Sequence, residues 1–282
     1  MSITIGIPVH NEEKNIGRLL RRLLKENYSF HLREIIIVAS GCTDKSEDII
    51  KNFCKKNTKI KLISEDIRRG KSSAVNIILK GAAGDIIAFV DTDNIPRKNS
   101  INKLIKSFSD GNVVAASGRP ILMRNKNNVI DSNYHLIWKL HHKICKIRPK
   151  ISGELFAIRK DIINEIPFYI INDDGFLTAI LRRNAKKVVY VPEAVTYTKE
   201  KSSIYYYLRK RRRIARGYAQ LRELGLNINI PLNLITKSLL ILIKKEPLNI
   251  PKMIFAVWLE IIANILASYD TAIGKTPYCW KK

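Results

Sequence analysis

The feature that most constrains this chain is an alternation. Short apolar runs rich in β-branched residues are separated by stretches with helical spacing, and polar clusters follow the runs. Ile3 to Val9 is the first run; Asn11-Glu12-Glu13 follows as a helix-start signal, then Ile16, Leu19, Leu20, Leu23 and Leu24 at helical spacing. Glu34 to Val38 is the second, broken by Ser40-Gly41-Cys42-Thr43-Asp44, with a helical stretch from Ser46 to Phe53. Ile60 to Ile63, a loop and helix from Gly70 to Leu79, and Asp85 to Val90 continue the pattern, the last ending in Asp91-Thr92-Asp93. Strands alternating with helices predict a parallel sheet with helices on both faces, and the unbroken apolar character of the runs buries them on both sides. In such sheets ligands bind beyond the carboxyl ends of the strands, where His10-Asn11-Glu12, Ser40-Gly41 and Asp91-Asp93 fall.

Further along, Val113 to Gly118, Phe156 to Arg159 and Val188 to Val191 read as strands, and Asn125 to Lys150 as a basic, aromatic helix. After Pro192 the character changes. Tyr205 to Leu224 is a strongly basic helix, while Leu232 to Ile243 and Met253 to Ala267 are apolar helices interrupted by Lys237, Glu260 and Asn264. A soft boundary near residue 200 divides a catalytic unit, 1–200, from a helical region, 201–282.

Composition narrows the partners. The 282 residues carry 50 Lys+Arg against 25 Asp+Glu, a formal charge of +25, with 46% hydrophobic residues. A core of good size is available and disorder as the main state is excluded. The charge points to nucleic acid, an anionic membrane or phosphorylated substrates. Cys42, Cys54, Cys145 and Cys279 lack CxxC spacing and read as isolated reduced thiols. Met1 to Val9 has no basic leader and reads directly as a strand, so a cytosolic catalytic part is expected. No apolar run reaches the length expected of a clear membrane span, about 20 residues.

Asp91-Thr92-Asp93 is the sharpest constellation. Two carboxylates one residue apart at the end of a buried strand repel unless a cation neutralises them. Hard divalent ions such as Mg²⁺ or Mn²⁺ take one or two carboxylates plus substrate phosphates. A polar turn that caps the next segment would use the same residues.

The motifs in order carry more than any one alone. Ile7-Pro8-Val9-His10-Asn11-Glu12, Val38-Ala39-Ser40-Gly41-Cys42-Thr43-Asp44, Arg69-Gly70-Lys71 through Ala74 and Asn76, and Ala83-Gly84-Asp85 before Phe89-Val90-Asp91-Thr92-Asp93 together resemble the nucleotide-sugar-binding half of family 2 glycosyltransferases with the GT-A fold. Ser152 to Arg159 is similar to that family's acceptor-side segment, Asn172-Asp173-Asp174-Gly175 to its "ED" motif, and Val189 to Ala194 to the strand that follows; the match covers about residues 3–217. The resemblance implies an α/β fold of the GT-A type, a mostly parallel twisted sheet with helices on both faces, plus the C-terminal helices. It places Pro8, His10 and Glu12 in the nucleoside pocket, Ser40 against the base, Lys71 near the diphosphate, Asp91 near ribose and metal, and Asp93 on the metal. Asp174 is then the general base, and Gly153, Glu154 and Asp173 lie on the acceptor side. Inverting transfer from a UDP- or GDP-sugar with Mn²⁺ or Mg²⁺ follows, to a hydroxyl or phosphate on a glycan or lipid-linked acceptor. Asp173 and Asp174 also suit the N-cap of a helix from Phe176 to Arg182.

Two departures from the pattern matter. Ala39 and Ser40 stand where many members have Asp-Asp, and a hydroxyl leaves the choice of base open. Lys210-Arg211-Arg212-Arg213-Ile214 stands where processive members carry Gln-x-x-Arg-Trp, so the aromatic platform for a growing glycan is missing and transfer of one sugar is expected. The Arg209 to Arg216 run, with Arg213 and Arg216, is expected to lie outside the Asp93–Asp174 chemistry and to face phosphates of an anionic membrane or acceptor. A solvated helix face is the plain alternative. The apolar helices with Lys244, Lys245 and Lys252 at their ends suit peripheral, interfacial attachment on a cytoplasmic membrane face, or packing on the catalytic unit. His141 and His142 are expected to be surface or satisfied core residues. Two other functions remain as alternatives: a sugar-nucleotide-forming nucleotidyltransferase, against which the Pro8-to-Glu12 loop argues, and a nucleic-acid-binding protein, for which no motif is present.

Overall fold

A computed structural model describes residues 1–123, 128–226, 228, 230–245 and 250–274, with Lys245 described by its backbone alone. The predicted alternation builds β1 (Ser2–Val9), α1 (Ile16–Leu24), β2 (His31–Ser40), α2 (Ser46–Lys56), β3 (Ile60–Glu65), α3 (Lys71–Gly81) and β4 (Ile86–Val90). Next come a two-residue β5 (Ile95–Pro96), α4 (Ser100–Lys106), β6 (Val113–Leu122), α5 (Val129–Ile147), β7 (Leu155–Arg159), α6 (Asp173–Arg183) and β8 (Lys187–Thr198). Three helices end the described chain: α7 (Ile204–Glu223), α8 (Leu232–Lys245) and α9 (Ile250–Ala272). The sheet has eight strands in the order β3-β2-β1-β4-β7-β6-β8-β5. β3, β2, β1 and β4 run parallel, β7 is antiparallel to both β4 and β6, and β5 is antiparallel to β8.

The period-2 alternation explains the two cores. Ile35 and Ile37 of β2, with Ile86, Ala88 and Val90 of β4, pack on Leu19, Leu20 and Leu23 of α1 and Leu104 of α4. Their neighbours Ile36, Val38, Ile87 and Phe89 pack on Val75 and Ile78 of α3 and Leu177 and Leu181 of α6. Phe89 stacks on Phe156 of β7 with ring centroids 4.8 Å apart, locking the antiparallel strand to its parallel neighbour. Each of the Ile, Leu, Val and Phe side chains contributes about 1.5–3 kcal/mol by leaving water. Burial on both faces is what made the strands read as continuous apolar runs.

A third cluster joins the C-terminal helices to this body: Leu122 of β6, Ile130 and Tyr134 of α5, Tyr207 of α7 and Leu259 of α9. Helix α5 starts at Val129, where the Asn128 side chain accepts from Ile130 N–H at 2.8 Å; residues 125–127 of the expected helix lie outside the described residues, as does Cys279. His141 is pushed well below its ordinary pKa by burial and by Lys150, and lies against Trp138 and the Cys145 thiol. His142 shares a 2.8 Å hydrogen bond with the Tyr190 hydroxyl. Both are satisfied where they sit.

Helix α9 corrects one expectation. Its 23 residues are long and apolar enough to cross a membrane by length and composition. Glu260 and Asn264 made the run look interrupted. Glu260 and Asp270 turn inward, where Arg211 grips Glu260 through two 2.7 Å hydrogen bonds and Arg212 holds both oxygens of Asp270. The outward face keeps Ile254, Trp258, Ile261 and Ile265, each more than half exposed and uncharged.

Candidate functional site

The site lies at the carboxyl ends of β1, β2 and β4. Two loops form its rim and brace one another. Asn11, in the left-handed region at φ 52°, accepts from Thr43 N–H at 2.8 Å through its side-chain oxygen. Glu12 N–H donates to the Ser46 hydroxyl at 2.7 Å, and Glu13 N–H to Asp44 at 3.0 Å. Gly41 turns at φ +55°, and a Cβ there would lie 2.5 Å from the Arg68 backbone nitrogen, so only glycine lets these strands end so close together. His10 Nδ1 lies 2.7 Å from the Ser40 carbonyl oxygen, which fixes Nδ1–H as the donor and leaves Nε2 as acceptor. The Ser40 hydroxyl is buried and accepts from Arg69 N–H at 3.2 Å, so it also ties down the segment leading to Lys71. Glu12 accepts from the Asn15 side chain at 2.7 Å. Pro8 accepts at its carbonyl from the Thr92 hydroxyl at 3.4 Å, joining β1 to the Asp91-Thr92-Asp93 turn.

At the centre, residues far apart in sequence meet. The Lys71 ammonium lies 2.8 and 2.9 Å from the two Asp91 carboxylate oxygens and 3.5 Å from Asp173. Gly153 N–H donates to Asp174 Oδ2 at 3.3 Å, and Gly175 N–H to Asp174 Oδ1 at 2.7 Å. A Cβ on Gly153 would lie 3.1 Å from the Lys71 nitrogen, 3.7 Å from Asp91 and 4.0 Å from Asp174. The missing side chain therefore gives the Lys71 ammonium room beside Gly153, with Asp91 and Asp174 bordering the same small space. Glu154 accepts from the Ser152 hydroxyl, and its charge bears on both Asp93 and Asp174.

Electrostatics divides the carboxylates into roles. Burial pushes Asp91 up to about 7, with Lys71 opposing and Asp93 adding. The protein around Asp93 strips enough water from its carboxylate to raise it to about 6 although the residue reaches solvent, with Lys210 opposing and Glu12, Glu200 and Glu154 adding. Asp174 is raised by burial and by Asp173, against Lys150 and Lys71. Burial pulls Lys71 down, yet Asp173 and Asp91 outweigh it and hold the ammonium charged.

The donor set suits a hard divalent cation. The exposed Asp93 carboxylate accepts from the Asn94 side-chain amide at 3.0 Å, and the Asn94 side-chain oxygen is buried with no hydrogen-bond partner among the described residues. No group of three or more His, Cys, Asp or Glu side chains forms a complete cage among the described residues. Asp91 gives both oxygens to Lys71, which makes Asp93 the carboxylate of the pair more open to metal.

The basic run corrects another expectation: it does not lie outside this chemistry. Helix α7 crosses the site, because its Gly217 presses on Asn172, where a Cβ would meet the side chain at 2.5 Å. On the same face, Lys210 pairs with Glu200 at 2.5 Å and bears on Asp93, while Arg213 donates to the Ile171 carbonyl at 3.1 Å. Burial holds Arg213 down to about 10, against the pull of Asp173, Asp174 and Asp91. Arg216 is buried and directed to Glu223 at 3.2 Å. The N-cap of α6 is also revised: Asn172 holds that position, its side-chain amide donating to the Ile214 carbonyl, and both Asp173 and Asp174 fall in the first turn. Sequence reading missed Lys150, Glu200 and the separate role of Lys210. Lys150 is one of many cations and carries no motif. Lys210, Arg213 and Gly217 had a signal, the i, i+3, i+7 spacing of one helical face.

With this geometry in place, comparison with known proteins gives a consistent answer. The model described as Glycosyl transferase family 2 matches residues 4–189. The chain is 27% identical over 230 residues to the "Probable glycosyltransferase YdaM" of Bacillus subtilis, covering 76% of this chain and 54% of that protein. It is 26% identical over 199 residues to a dolichol-phosphate mannosyltransferase of Pyrococcus furiosus, covering 68% of this chain and 56% of that one. The chain thus spans about half the length of these curated relatives. Among solved structures, the mannosyltransferase PcManGT from Pyrobaculum calidifontis, in complex with GDP-Man and Mn²⁺, superposes with a TM-score of 0.70 at 17% identity, covering 97% of this chain and 87% of that one. Glucosyl-3-phosphoglycerate synthase from Mycobacterium tuberculosis, with Mn²⁺, UDP and phosphoglyceric acid, gives 0.53 at 18% identity, covering 80% and 79%. At these identities the structural likeness establishes the fold, an α/β architecture of the GT-A type.

Proposed function

This chain belongs to the family 2 glycosyltransferases, and from that membership we propose that it transfers a single sugar, with inversion, from a UDP- or GDP-sugar to a hydroxyl of a glycan or lipid-linked acceptor. The observation that carries the reading is the meeting of Lys71, Asp91, Gly153 and Asp174 at the carboxyl end of the sheet. Relatives lend it support: PcManGT was solved with GDP-Man and Mn²⁺, and one relative is a dolichol-phosphate mannosyltransferase.

In this reading the braced rim of Pro8, His10, Glu12 and Ser40 holds the nucleoside, with the His10 ring oriented by its bond to the Ser40 carbonyl. Lys71 delivers positive charge to the diphosphate as the bond from the anomeric carbon to its oxygen breaks. Asp93, with the Asn94 side-chain oxygen beside it, would hold Mn²⁺ or Mg²⁺, which when bound neutralises charge on the departing diphosphate. On the opposite side, Asp174 takes the acceptor's proton as the new carbon–oxygen bond forms. Its carboxylate is made more basic by burial and Asp173, and is aimed by the Gly153 and Gly175 N–H groups. One base on the face away from the leaving group yields inversion. Gly153, Glu154, Asp173, Arg213 and Arg216 frame the acceptor side. The 201–282 helices, with the uncharged outer face of α9 and exposed Lys244 and Lys252, suit peripheral attachment to the cytoplasmic face of an anionic membrane.

A donor screen tests this. UDP- and GDP-sugars are offered with Mn²⁺ or Mg²⁺, and both thermal protection and transfer are read. Asp93→Asn is expected to abolish transfer and metal-dependent protection. Asp174→Asn is expected to abolish transfer and leave donor protection nearly intact. Full transfer by the Asp174 variant sinks the base assignment.

A further inference from the structure

Away from the carboxylates, helices α5, α8 and α9 enclose an open groove of about 700 Å³. Its walls are Leu136 and Leu140 of α5, Ile235 and Leu239 of α8, and Ala256 and Ile261 of α9. The polar lining consists of Glu260, Asn264 and Ser268, all on α9, and Glu260 is already neutralised by Arg211. A volume of this size falls within the range that holds small ligands. Such a lining recognises hydrocarbon and offers little to a sugar or a base.

Two connections say which hydrocarbon. On one side, Ile261 and Ile265 line the groove and are also 52% and 63% exposed on the outer face of α9. A chain could pass from an apolar phase into the groove without crossing water. On the other side, α8 continues into a second depression of about 390 Å³, lined by Arg148, Lys237, Asn233 and Leu234. Arg148 Nε is buried there with no hydrogen-bond partner among the described residues, and Lys237 is exposed. These cations suit a phosphate. Two residues beyond Arg148 stands Lys150, whose ammonium donates to the Tyr218 hydroxyl at 3.3 Å and bears on Asp174. The chain thus links the groove's helix α5, through Arg148 and Lys150, to the surroundings of Asp174.

We propose that the α5–α8–α9 groove receives the hydrocarbon chain of a lipid-linked acceptor, with the acceptor's phosphate held at Arg148 and Lys237. This rests on the glycosyltransferase reading above and names the acceptor class that reading leaves broad. A chain seated in the groove replaces much of the affinity that a sugar acceptor would otherwise draw from hydrogen bonds alone.

The test does not require turnover. The full chain is irradiated with a long-chain alkyl phosphate bearing a terminal diazirine, and adducts are mapped by mass spectrometry. Labelling is expected in peptides carrying 136–140, 235–239 and 256–265. Asn264→Trp and Ser268→Trp fill the groove from exposed positions and are expected to cut labelling about tenfold, equivalent to about 1.4 kcal/mol, with the thermal midpoint retained. Trp258→Ala, outside the groove, is expected to leave groove labelling unchanged. Arg148→Ala with Lys237→Ala is expected to erase the preference for the alkyl phosphate over the matching alcohol. Adducts confined to the outer face of α9 overturn the proposal. So does equal labelling by a photoreactive phospholipid in vesicles, or a second copy of the chain covering the groove in solution. Groove labelling with no transfer to any sugar acceptor would instead fault the enzymatic reading, so the two failures are told apart.

Discussion

Replacing Lys71 by methionine keeps the length of the side chain and removes the charge that Asp91 holds at 2.8 and 2.9 Å. Breaking a buried ion pair costs about 3–5 kcal/mol, because one charge is left without compensation. Here the side chains are 24% and 29% exposed, so water recovers part of that, and about 2–3 kcal/mol is expected. At about 2–4 °C per kcal/mol for a chain of this size, the unfolding midpoint drops by about 5–10 °C. Asp91→Asn alone should cost less, since the ammonium keeps Asp173 at 3.5 Å. In the double variant neither charge remains, and the loss should be smaller than the sum by about 2 kcal/mol. The pH dependence has a definite sign. Asp91 is raised to about 7 in the folded protein, so its folded form binds a proton more tightly than the unfolded chain does. Stability from that proton is present at low pH and lost as pH rises through about 7. Without Lys71 the carboxylate rises further, so the methionine variant should lose more ground between acid and mildly alkaline buffer than the parent. Urea titrations of the four proteins, without nucleotide or metal, measure all of this. A coupling below about 0.5 kcal/mol would mean that the two side chains act independently, and the reasoning would fail.

Glu34 offers a second test. Burial alone would raise it, but hydrogen bonds from Lys61, the Ala83 N–H and Thr4 hold it below the ordinary value near 4.5. Its stabilisation is therefore present above that range and lost as pH falls below it; Glu34→Ala should cost about 3 kcal/mol at neutral pH and much less in acid, read from denaturant midpoints. Arg211→Met strands Glu260 beside the apolar groove and should speed amide exchange across α9, with Glu260→Gln in the same chain restoring much of the protection. For the membrane face, Ile254→Ser with Trp258→Ser should weaken flotation on anionic vesicles, and flotation of the parent on neutral vesicles as strong as on anionic ones would remove the electrostatic part of the argument.

Much of the framework could be read from residue order. Periods of 2 and 3.6 are local properties, and burial of both sheet faces left its mark as unbroken runs such as Ile35 to Val38 and Ile86 to Val90. The placement of His10, Ser40 and Asp91 at one edge followed from strand direction alone. Tertiary structure decided what could not be local. Nothing near Lys71 in sequence foretells that Asp91 and Asp173 share it, or that its ammonium comes so close to Gly153 that a Cβ there would lie only 3.1 Å away. The cations of α7 looked like a solvated or lipid-facing stripe because a run of like charge carries no address. Packing against Asn172 and α9 assigned Lys210 and Arg213 to the site and Arg211 and Arg212 to structural clamps. Helix α9 shows the same division: its composition fixed an apolar helix, and pairing of Glu260 and Asp270 across the interface decided which face it leaves bare.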